Sequence, residues 1–341
     1  MKPILGSPGY VELDPALVPD LPSASIVNML YEGLVELSDN GGIQKMLAQS
    51  YSVSPDGLTW TFTLRDHLQF NDGTPLTSAD VAYSLDRALQ PATRSPLAPY
   101  YLRLIKDSDK LASGQIKTLL GDSILTPDAK TVILVTSKRA AYFLYTLTNQ
   151  TAYVVEKSFV TKYGAQFTAH LNQGGSSGPW QLAHYIPQKE IDFVPNTRYA
   201  GQKTQLRKFV RPFYMGASTA YKDYRVDRLD STPVPVAQLA QVKQAIRGQY
   251  HQYPLLAINY LAMNYLVKPF DNIKIRQAFA LALNKDLIVA RVYTGSAIAT
   301  NHIIPGGIPG SSANLTGPTG GKGTAGDPAT ARKLFAAGLR E

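Results

Sequence analysis

The stretch SPDGLTWTFTLRDHLQFNDGTPLTSADVAYSLDRAL, residues 54–89, decides how this chain folds. Its opening tetrapeptide, SPDG, has the Pro-Asp-Gly order of a tight turn, since proline presets φ and glycine accepts a positive φ. In TWTFTL, at 59–64, Trp60, Phe62 and Leu64 alternate with three threonines. Strict alternation puts the large side chains on one side, so the segment predicts a strand with one buried face.

The second half of the stretch predicts a turn followed by a capped helix. NDGTP, at 71–75, is a turn sequence, and Thr77 precedes Asp80 by three residues, as in a capping box. The predicted helix ends before Pro91, and its buried stripe consists of Val81, Leu85, Ala88 and Leu89. No reactive residue stands out here, so the stretch indicates a well-specified scaffold.

Outward from this block, strands and helices alternate irregularly. A glycine-rich loop, GGSSGPW at 174–180, precedes the hairpin formed by QLAHYI and EIDFVPN. The other predicted elements are a helix over 23–37 with Ser23 as its N-cap, strands at 48–53, 126–137 and 254–264, and a helix over 272–293. The pattern predicts an α/β fold with mixed sheets.

The composition is that of a globular protein with no metal chemistry. The 341 residues suggest two or three domains, and 44% hydrophobic with 17% charged residues excludes a disordered chain. There is no cysteine, which excludes disulfides and thiolate ligands. The five histidines are scattered without metal-ligand spacing. We therefore expect no metal ion and no cofactor.

The charge is unevenly distributed. The net charge is +9, but residues 1–89 carry 4 Lys/Arg and 11 Asp/Glu, a net of −7, so the remainder carries +16. The basic residues are dispersed, without a dense basic block interleaved with aromatics, which favours a solvated surface over nucleic-acid binding. No apolar run is long enough for a transmembrane helix, and the N-terminus lacks the apolar region of an export signal. These observations leave two alternatives open, a cytosolic protein or one from which an export signal has been removed.

No motif of an enzyme is present. SSGPW lacks the Gly-Lys-Ser/Thr ending of a phosphate-binding loop, which favours a structural turn, and no G-x-S-x-G nucleophile motif occurs. Tyrosines are abundant, 20 in all, and cluster in APYYL, AYFLY and INYLAMNY. Such side chains suit a cleft that holds varied ligands, but for any single tyrosine ordinary core and hairpin packing is the favoured explanation.

Five motifs, in order along the chain, give it a family resemblance. They are LYEGLVEL (30–37), MLAQSYSVSPDGLTWTFTLRDHLQFNDGTPLTSADVAYSLDRAL (46–89), SSGPW (176–180), VPNTRYAG (194–201) and KPFDNIKIRQAFALALNKDLIVARVYTG (268–295). This order closely resembles the family 5 solute-binding proteins, the oligopeptide-, dipeptide- and nickel-binding receptors of bacterial ABC importers. Members of that family are longer than this chain.

The resemblance implies a periplasmic-binding-protein-like fold of type II, cluster C, in which two lobes close on a ligand by a hinge. Lobe I is then formed by residues 1–41 and 152–252, with an inserted α/β subdomain at 42–151. Residues 253–341 are expected to form the hinge and the N-terminal part of lobe II. Lobe II is therefore expected to be incomplete in this chain.

The resemblance also implies which residues contact the solute. In peptide-binding relatives, backbone segments hold an extended ligand as an added strand. Carried over residue by residue, the expected ligand-binding positions are Asp20, Leu21, Tyr100, Asp230, Ser231, Thr232, Tyr260 and Asn264.

The implied function is that of a receptor rather than an enzyme. We expect a monomer outside the cytoplasm that captures a peptide or similar solute and delivers it to the transmembrane subunits of an ABC permease. We expect membrane association only through a lipid anchor that, like the export signal, is missing from this chain. Two alternatives stay open: a binder of oligosaccharides or metal chelates, and a truncated remnant that acts as a sensory or interaction module or needs a complementary chain.

Overall fold

The computed structural model describes residues 11–245, 248–253, 255, 257–306, 310–312, 314–317 and 320–341. The chain divides into two compact units, and the division falls between Pro233 and Val234. The first unit contains strands β1–β9 and helices α1–α7, and the second contains helices α8–α11.

The strands and helices of the first unit are spread over its whole length. The strands are β1 (Val35–Leu37), β2 (Ile43–Lys45), β3 (Ala48–Val53), β4 (Thr59–Leu64), β5 (Ile124–Leu125), β6 (Thr131–Val135), β7 (Trp180–Ile186), β8 (Glu190–Pro195) and β9 (Phe209–Pro212). The helices are α1 (Leu21–Leu30), α2 (Ser78–Leu89), α3 (Ala98–Tyr101), α4 (Ser108–Ala112), α5 (Phe143–Thr146), α6 (Lys157–Tyr163) and α7 (Ala217–Arg225), with short 3-10 turns at Gln150–Ala152 and Gly164–His170.

The named strands form three sheets, ordered β1-β2, β3-β4-β6-β5 and β7-β8-β9, in which every pairing is antiparallel. The α/β class is confirmed, but the expected mixed sheets are wrong for the described strands. Parallel neighbours need a crossover connection. Here β3-β4 and β7-β8 are joined by turns, and the longer connections from β8 to β9 and from β4 to β6 return the chain in the opposite direction.

The strand predicted at 59–64 is the centre of the first core. It is β4, whose Trp60, Phe62 and Leu64 are buried while its threonines are half-buried. Phe62 pairs with Val132 of β6 on one side and with Tyr51 of β3 on the other. Because both edges of β4 are hydrogen-bonded, its large side chains form the middle of a sheet covered by α2.

The helix predicted after the NDGTP turn is α2, and its capping box is confirmed. The Thr77 N–H donates to Asp80 Oδ2 at 2.9 Å, and Asp80 Oδ1 accepts from the Lys157 N–H at 3.2 Å. One carboxylate therefore caps α2 and also ties it to the first residue of α6.

The second core lies around α1, α6 and the sheet β7-β8-β9. Its buried residues come from 11–31 and 153–193, whereas those of the first core come almost entirely from 34–154. The residue range of the first core lies close to that of the expected inserted subdomain, 42–151. The four-part division into lobes stays a prediction.

The helix predicted over 23–37 is shorter and shifted. It begins at Leu21, and Asp20 rather than Ser23 is its N-cap, since Asp20 Oδ1 accepts from the Ser23 N–H at 2.8 Å. It ends at Leu30, and Val35–Leu37 is instead β1, which pairs with β2. Local periodicity suggested the longer helix, but hydrogen bonds to distant segments extend the chain after Leu30.

The second unit is helical in its described part. Its helices are α8 (Leu239–Ala245), α9 (Ile273–Ala282), α10 (Lys285–Arg291) and α11 (Pro328–Gly338), preceded by a 3-10 turn at Val236–Gln238. The helix predicted over 272–293 is two helices, because Leu283 is extended and Asn284 starts a new helix by accepting from the Leu287 N–H.

The strand predicted at 254–264 is not formed by the described residues of that range. A strand needs a neighbour with which to exchange hydrogen bonds. No described residue pairs with this segment as a strand, so its apolar side chains Leu255, Tyr260 and Leu261 are exposed.

We expect truncation of the central core side chain to be costly. Phe62→Ala removes a fully buried ring from β4 and should lower the free energy of unfolding by about 3–5 kcal/mol. Thr61→Ala, one residue away on the other face, should cost less than about 1 kcal/mol. Urea unfolding followed by tryptophan fluorescence measures both, and equal losses would contradict the assigned faces of β4.

Candidate functional site

A buried ion pair fixes the segment that leads into α1. Arg87 donates to both carboxylate oxygens of Asp14, at 3.0 and 2.5 Å, and Asp14 is almost fully buried. Glu12 Oε1 accepts from the Leu13 and Asp14 N–H groups at 2.9 Å each. Burial raises the pKa of the Glu12 carboxyl. Because a bidentate guanidinium–carboxylate pair constrains both distance and orientation, this segment is held in one geometry.

A serine joins this segment to helix α3. The Ser95 hydroxyl donates to the Ala16 carbonyl at 2.5 Å and accepts from the Ala98 N–H at 3.0 Å. Ala16 lies four residues before Asp20, and Ala98 is the first residue of α3, which carries Tyr100. Two of the expected solute-binding segments are therefore connected through one side chain.

The expected residues of these two segments are presented to solvent. Leu21 is 58% exposed and Tyr100 is 71% exposed, although both are large and apolar or aromatic. Asp20 has an extended backbone, with φ −149° and ψ 164°, and its N–H donates to no described residue. An extended residue with an unused N–H is what a ligand needs in order to pair as an added strand. One oxygen of the Asp20 side chain is already used to cap α1.

The remaining expected residues are exposed or half-buried. Asp230, Ser231 and Thr232 lie in the loop after α7, at the end of the first unit. Tyr260 and Asn264 lie in the second unit, where Asn264 Oδ1 accepts from the Leu266 N–H at 3.1 Å. Their role in ligand binding stays a prediction.

The loop GGSSGPW is structural, as its sequence indicated. The Ser176 N–H donates to Asn71 Oδ1 at 2.8 Å, and the Gly178 N–H donates to the Leu30 carbonyl at 2.9 Å. The Ser177 hydroxyl accepts from the Glu32 N–H and donates to the Val154 carbonyl. A phosphate-binding loop needs free N–H groups, whereas these are used within the protein.

A cavity of about 170 Å³ lies beside this loop, and its most distinctive group is a buried carboxyl. Glu32 is 7% exposed and accepts a hydrogen bond from the Tyr199 hydroxyl. Burial is the main reason that the pKa of Glu32 rises to about 7, opposed by the bond from Tyr199 and by the charge of Arg65. Burial and the Glu32 charge also raise the pKa of Tyr199 well above its usual range.

Sequence reasoning missed the most constrained polar groups of the first unit. Ser95 carried no recognisable signal, since a single serine between helices is common in loops. Glu32 stands in the quoted motif LYEGL, but a glutamate there is indistinguishable from a solvated one without knowledge of Tyr199. The ion pair of Asp14 with Arg87 joins residues 73 positions apart, and no local pattern links them.

The sequence comparisons agree with this architecture. Residues 42–339 match the profile described as "Bacterial extracellular solute-binding proteins, family 5 Middle". The chain belongs to this family of solute-binding proteins, and the predicted family resemblance is confirmed. A solute-binding family also supports the interpretation that the chain is not an enzyme.

Individual relatives are similar at modest identity. The periplasmic oligopeptide-binding protein OppA of Haemophilus influenzae is 28% identical over 284 residues, covering 82% of this chain and 52% of its own length. A protein of Escherichia coli named as a probable deoxycholate-binding periplasmic protein, YgiS, is 28% identical over 283 residues with the same coverages. The chain thus spans about half the length of these curated relatives.

The fold is also similar to solved structures. The murein tripeptide binding protein MppA of Escherichia coli superposes with a TM-score of 0.83 at 27% identity, covering 96% of this chain and 64% of that one. Among the described residues, no helix has both the length and the apolar character of a membrane span. No group of three or more His, Cys, Asp or Glu side chains suited to a metal ion occurs in the part of the chain that the structure describes.

Removing the Ser95 hydroxyl should loosen α3. Ser95→Ala deletes both hydrogen bonds that connect Ala16 with Ala98, and we expect a loss of about 1–2 kcal/mol in unfolding free energy. Hydrogen exchange should accelerate selectively in residues 98–101. Ser113→Ala, which removes an exposed hydroxyl at the end of α4, is the matched control. Unchanged exchange in α3 would show that Ser95 does not hold this segment.

The raised pKa of Glu32 predicts a pH dependence of stability. The folded state keeps the Glu32 proton up to about pH 7, whereas the unfolded chain releases it near 4.5. The unfolded state therefore binds fewer protons in this interval, so stability is complete below 4.5 and falls as pH rises through about 7. Glu32→Gln should remove this loss, making the variant more stable than the parent by up to about 3 kcal/mol near pH 8.

Urea unfolding at about pH 5 and about pH 8 tests this expectation. The control is Asp109→Asn, which changes an exposed carboxylate in the first turn of α4. A parent protein whose stability is as high near pH 8 as near pH 5, or a Gln variant with an unchanged pH profile, would contradict it.

Proposed function

We propose that the chain is part of an extracytoplasmic receptor that captures peptides or similar solutes for uptake by an ABC transporter. Family membership supports the general role. The periplasmic location named for its relatives supports the compartment. Delivery of the solute to the permease subunits is part of the same proposed role.

The observation that carries the proposal is the pair of tethered, exposed segments in the first unit. The extended Asp20 presents an unused N–H, and Leu21 and Tyr100 present large side chains to solvent. The buried ion pair and Ser95 hold these segments without using the groups that a ligand would contact. Preorganisation of this kind lowers the entropic cost of ligand binding.

A peptide is the solute class that this arrangement suits best. Main-chain pairing provides affinity that is independent of sequence, while exposed aromatic and apolar side chains provide tolerant contacts. We further propose that Asp230, Ser231, Thr232, Tyr260 and Asn264 complete the site, with closure of two lobes at a hinge near residue 253.

The test is calorimetric titration of mixed short peptides into the longest natural polypeptide that contains this chain. We expect binding, and we expect Tyr100→Ala to weaken it about tenfold by removing an exposed ring from the site. Tyr142→Ala removes another exposed tyrosine, beside α5, and should leave the affinity unchanged. Absence of binding to every peptide pool would overturn the proposal, and an unaffected Tyr100→Ala variant would remove Tyr100 from the site.

A further inference from the structure

Three of the sequence motifs meet at one cavity that the proposed peptide site does not use. LYEGL contributes Glu32 and Gly33, SSGPW contributes Pro179, and VPNTRYAG contributes Tyr199. The cavity, of about 170 Å³, is completed by residues that include Tyr153 and Glu36. Segments far apart in sequence therefore enclose a single space inside the first unit.

Two oxygens on mostly buried side chains at this cavity have no hydrogen-bond partner among the described residues. Glu32 uses Oε1 to accept from Tyr199, while its Oε2 has no partner. The Tyr153 hydroxyl has none either, although Tyr153 is only 4% exposed. Both side chains line the cavity, and both oxygens can accept a hydrogen bond from one donor group.

The aromatic walls are set in place by two glycines. A Cβ at Gly33 would lie 3.0 Å from Tyr153 Cδ1, and a Cβ at Gly201 would lie 2.6 Å from the ring and hydroxyl of Tyr199. Each ring thus packs directly against backbone that has no side chain. The two rings border the carboxyl of Glu32, which gives the cavity aromatic surface together with negative charge.

The electrostatic surroundings favour a cation. Glu36 is close enough to Glu32, Tyr153 and Tyr199 that its charge raises the pKa of all three. Arg65 is the cation that acts on Glu32 and Tyr199, and its guanidinium also donates to the Lys45 carbonyl at 2.7 Å. The C-terminal end of α1, which is the negative end of its dipole, adjoins Glu32.

We infer that this cavity is a second binding site, selective for a primary alkylammonium group. An ammonium group brings three N–H donors, which match Glu32 Oε2 and the Tyr153 hydroxyl, and its charge is attracted by the carboxylates and by the faces of tyrosine rings. At about 30 Å³ for each water-sized group, the cavity accommodates roughly five heavy atoms, as in butylammonium.

The site is distinct from the proposed peptide-binding segments. Asp20 caps the first turn of α1, whereas Glu32 lies beyond its last turn. A helix of 10 residues separates the two positions by about 15 Å. The inference is therefore independent of the proposed function, and each is tested with its own ligand.

Binding should depend on pH in a defined direction. The groups around Glu32 are Tyr199, Tyr153, Glu36 and Arg65, and their balance together with burial keeps Glu32 largely protonated below about pH 7. An ammonium ion requires the ionised carboxylate, so affinity should increase as pH rises through about 7. The amine itself stays protonated to about pH 10.

The experiment is calorimetric titration of butylammonium chloride into the purified protein near pH 8, with sodium chloride of equal ionic strength as the blank. Saturable binding is expected. Glu32→Gln should weaken it at least about tenfold, and Tyr153→Phe, which keeps the ring, about fivefold. Tyr142→Phe removes an exposed hydroxyl elsewhere and should bind as the parent does. Thermal unfolding of each variant verifies that it is folded.

Tetramethylammonium separates hydrogen bonding from simple charge attraction, since it has no N–H donor. We expect it to bind at least about tenfold more weakly than butylammonium. Equal affinity for the two ions, binding that survives Glu32→Gln, or no heat beyond the sodium chloride blank would each overturn the inference. In contrast, Tyr100→Ala should leave butylammonium binding unchanged. Failure of the ammonium site can therefore be distinguished from failure of the proposed peptide site.

Discussion

The close approach of Gly178 to the end of α1 is the constraint on which the first unit depends. A Cβ at Gly178 would lie 2.7 Å from the Met29 carbonyl oxygen, so only glycine fits at this point. The contact lets the Gly178 N–H satisfy the Leu30 carbonyl, one of the groups that a helix end leaves without a partner. It also brings Ser177 between Glu32 and Val154. The end of α1, the start of β7 and the segment entering α6 are thereby fixed to one another.

The other end of α1 is fixed by charge instead of close packing. Removing Asp14 and Arg87 from water is unfavourable, and only a well-oriented, doubly hydrogen-bonded pair offsets that cost. The same pair determines where the chain runs before Asp20. Helix α1 is thus anchored at both ends, which explains how a residue at its first turn can be exposed and still be precisely placed.

How far the sequence predicted the fold depends on how local each determinant is. The alternation in β4 and the capping box of Thr77 and Asp80 were predicted correctly, because each is decided within a few residues. The helix over 23–37 was predicted too long, because what ends it is the contact with Ser177 and Val154, more than a hundred residues away. The break at Leu283 combines the local cap by Asn284 with a distant contact, since the Leu281 carbonyl accepts from the Asp327 N–H. The antiparallel sheets likewise depend on tertiary pairing, which periodicity does not encode.

The same distinction applies to the two sites. The exposed positions could be transferred from a family pattern, because a motif fixes their place along the chain. The cavity could not, because its chemistry arises from a hydrogen bond between residues 167 positions apart. A glutamate in LYEGL becomes unusual only when a tyrosine from VPNTRYAG removes it from water. Burial, which sequence does not display, converts an ordinary carboxyl into a group that holds its proton up to about pH 7. Above that pH the ionised carboxylate can attract a cation. The motifs that identify the family are therefore also the walls of a space whose chemistry differs from that of the exposed segments.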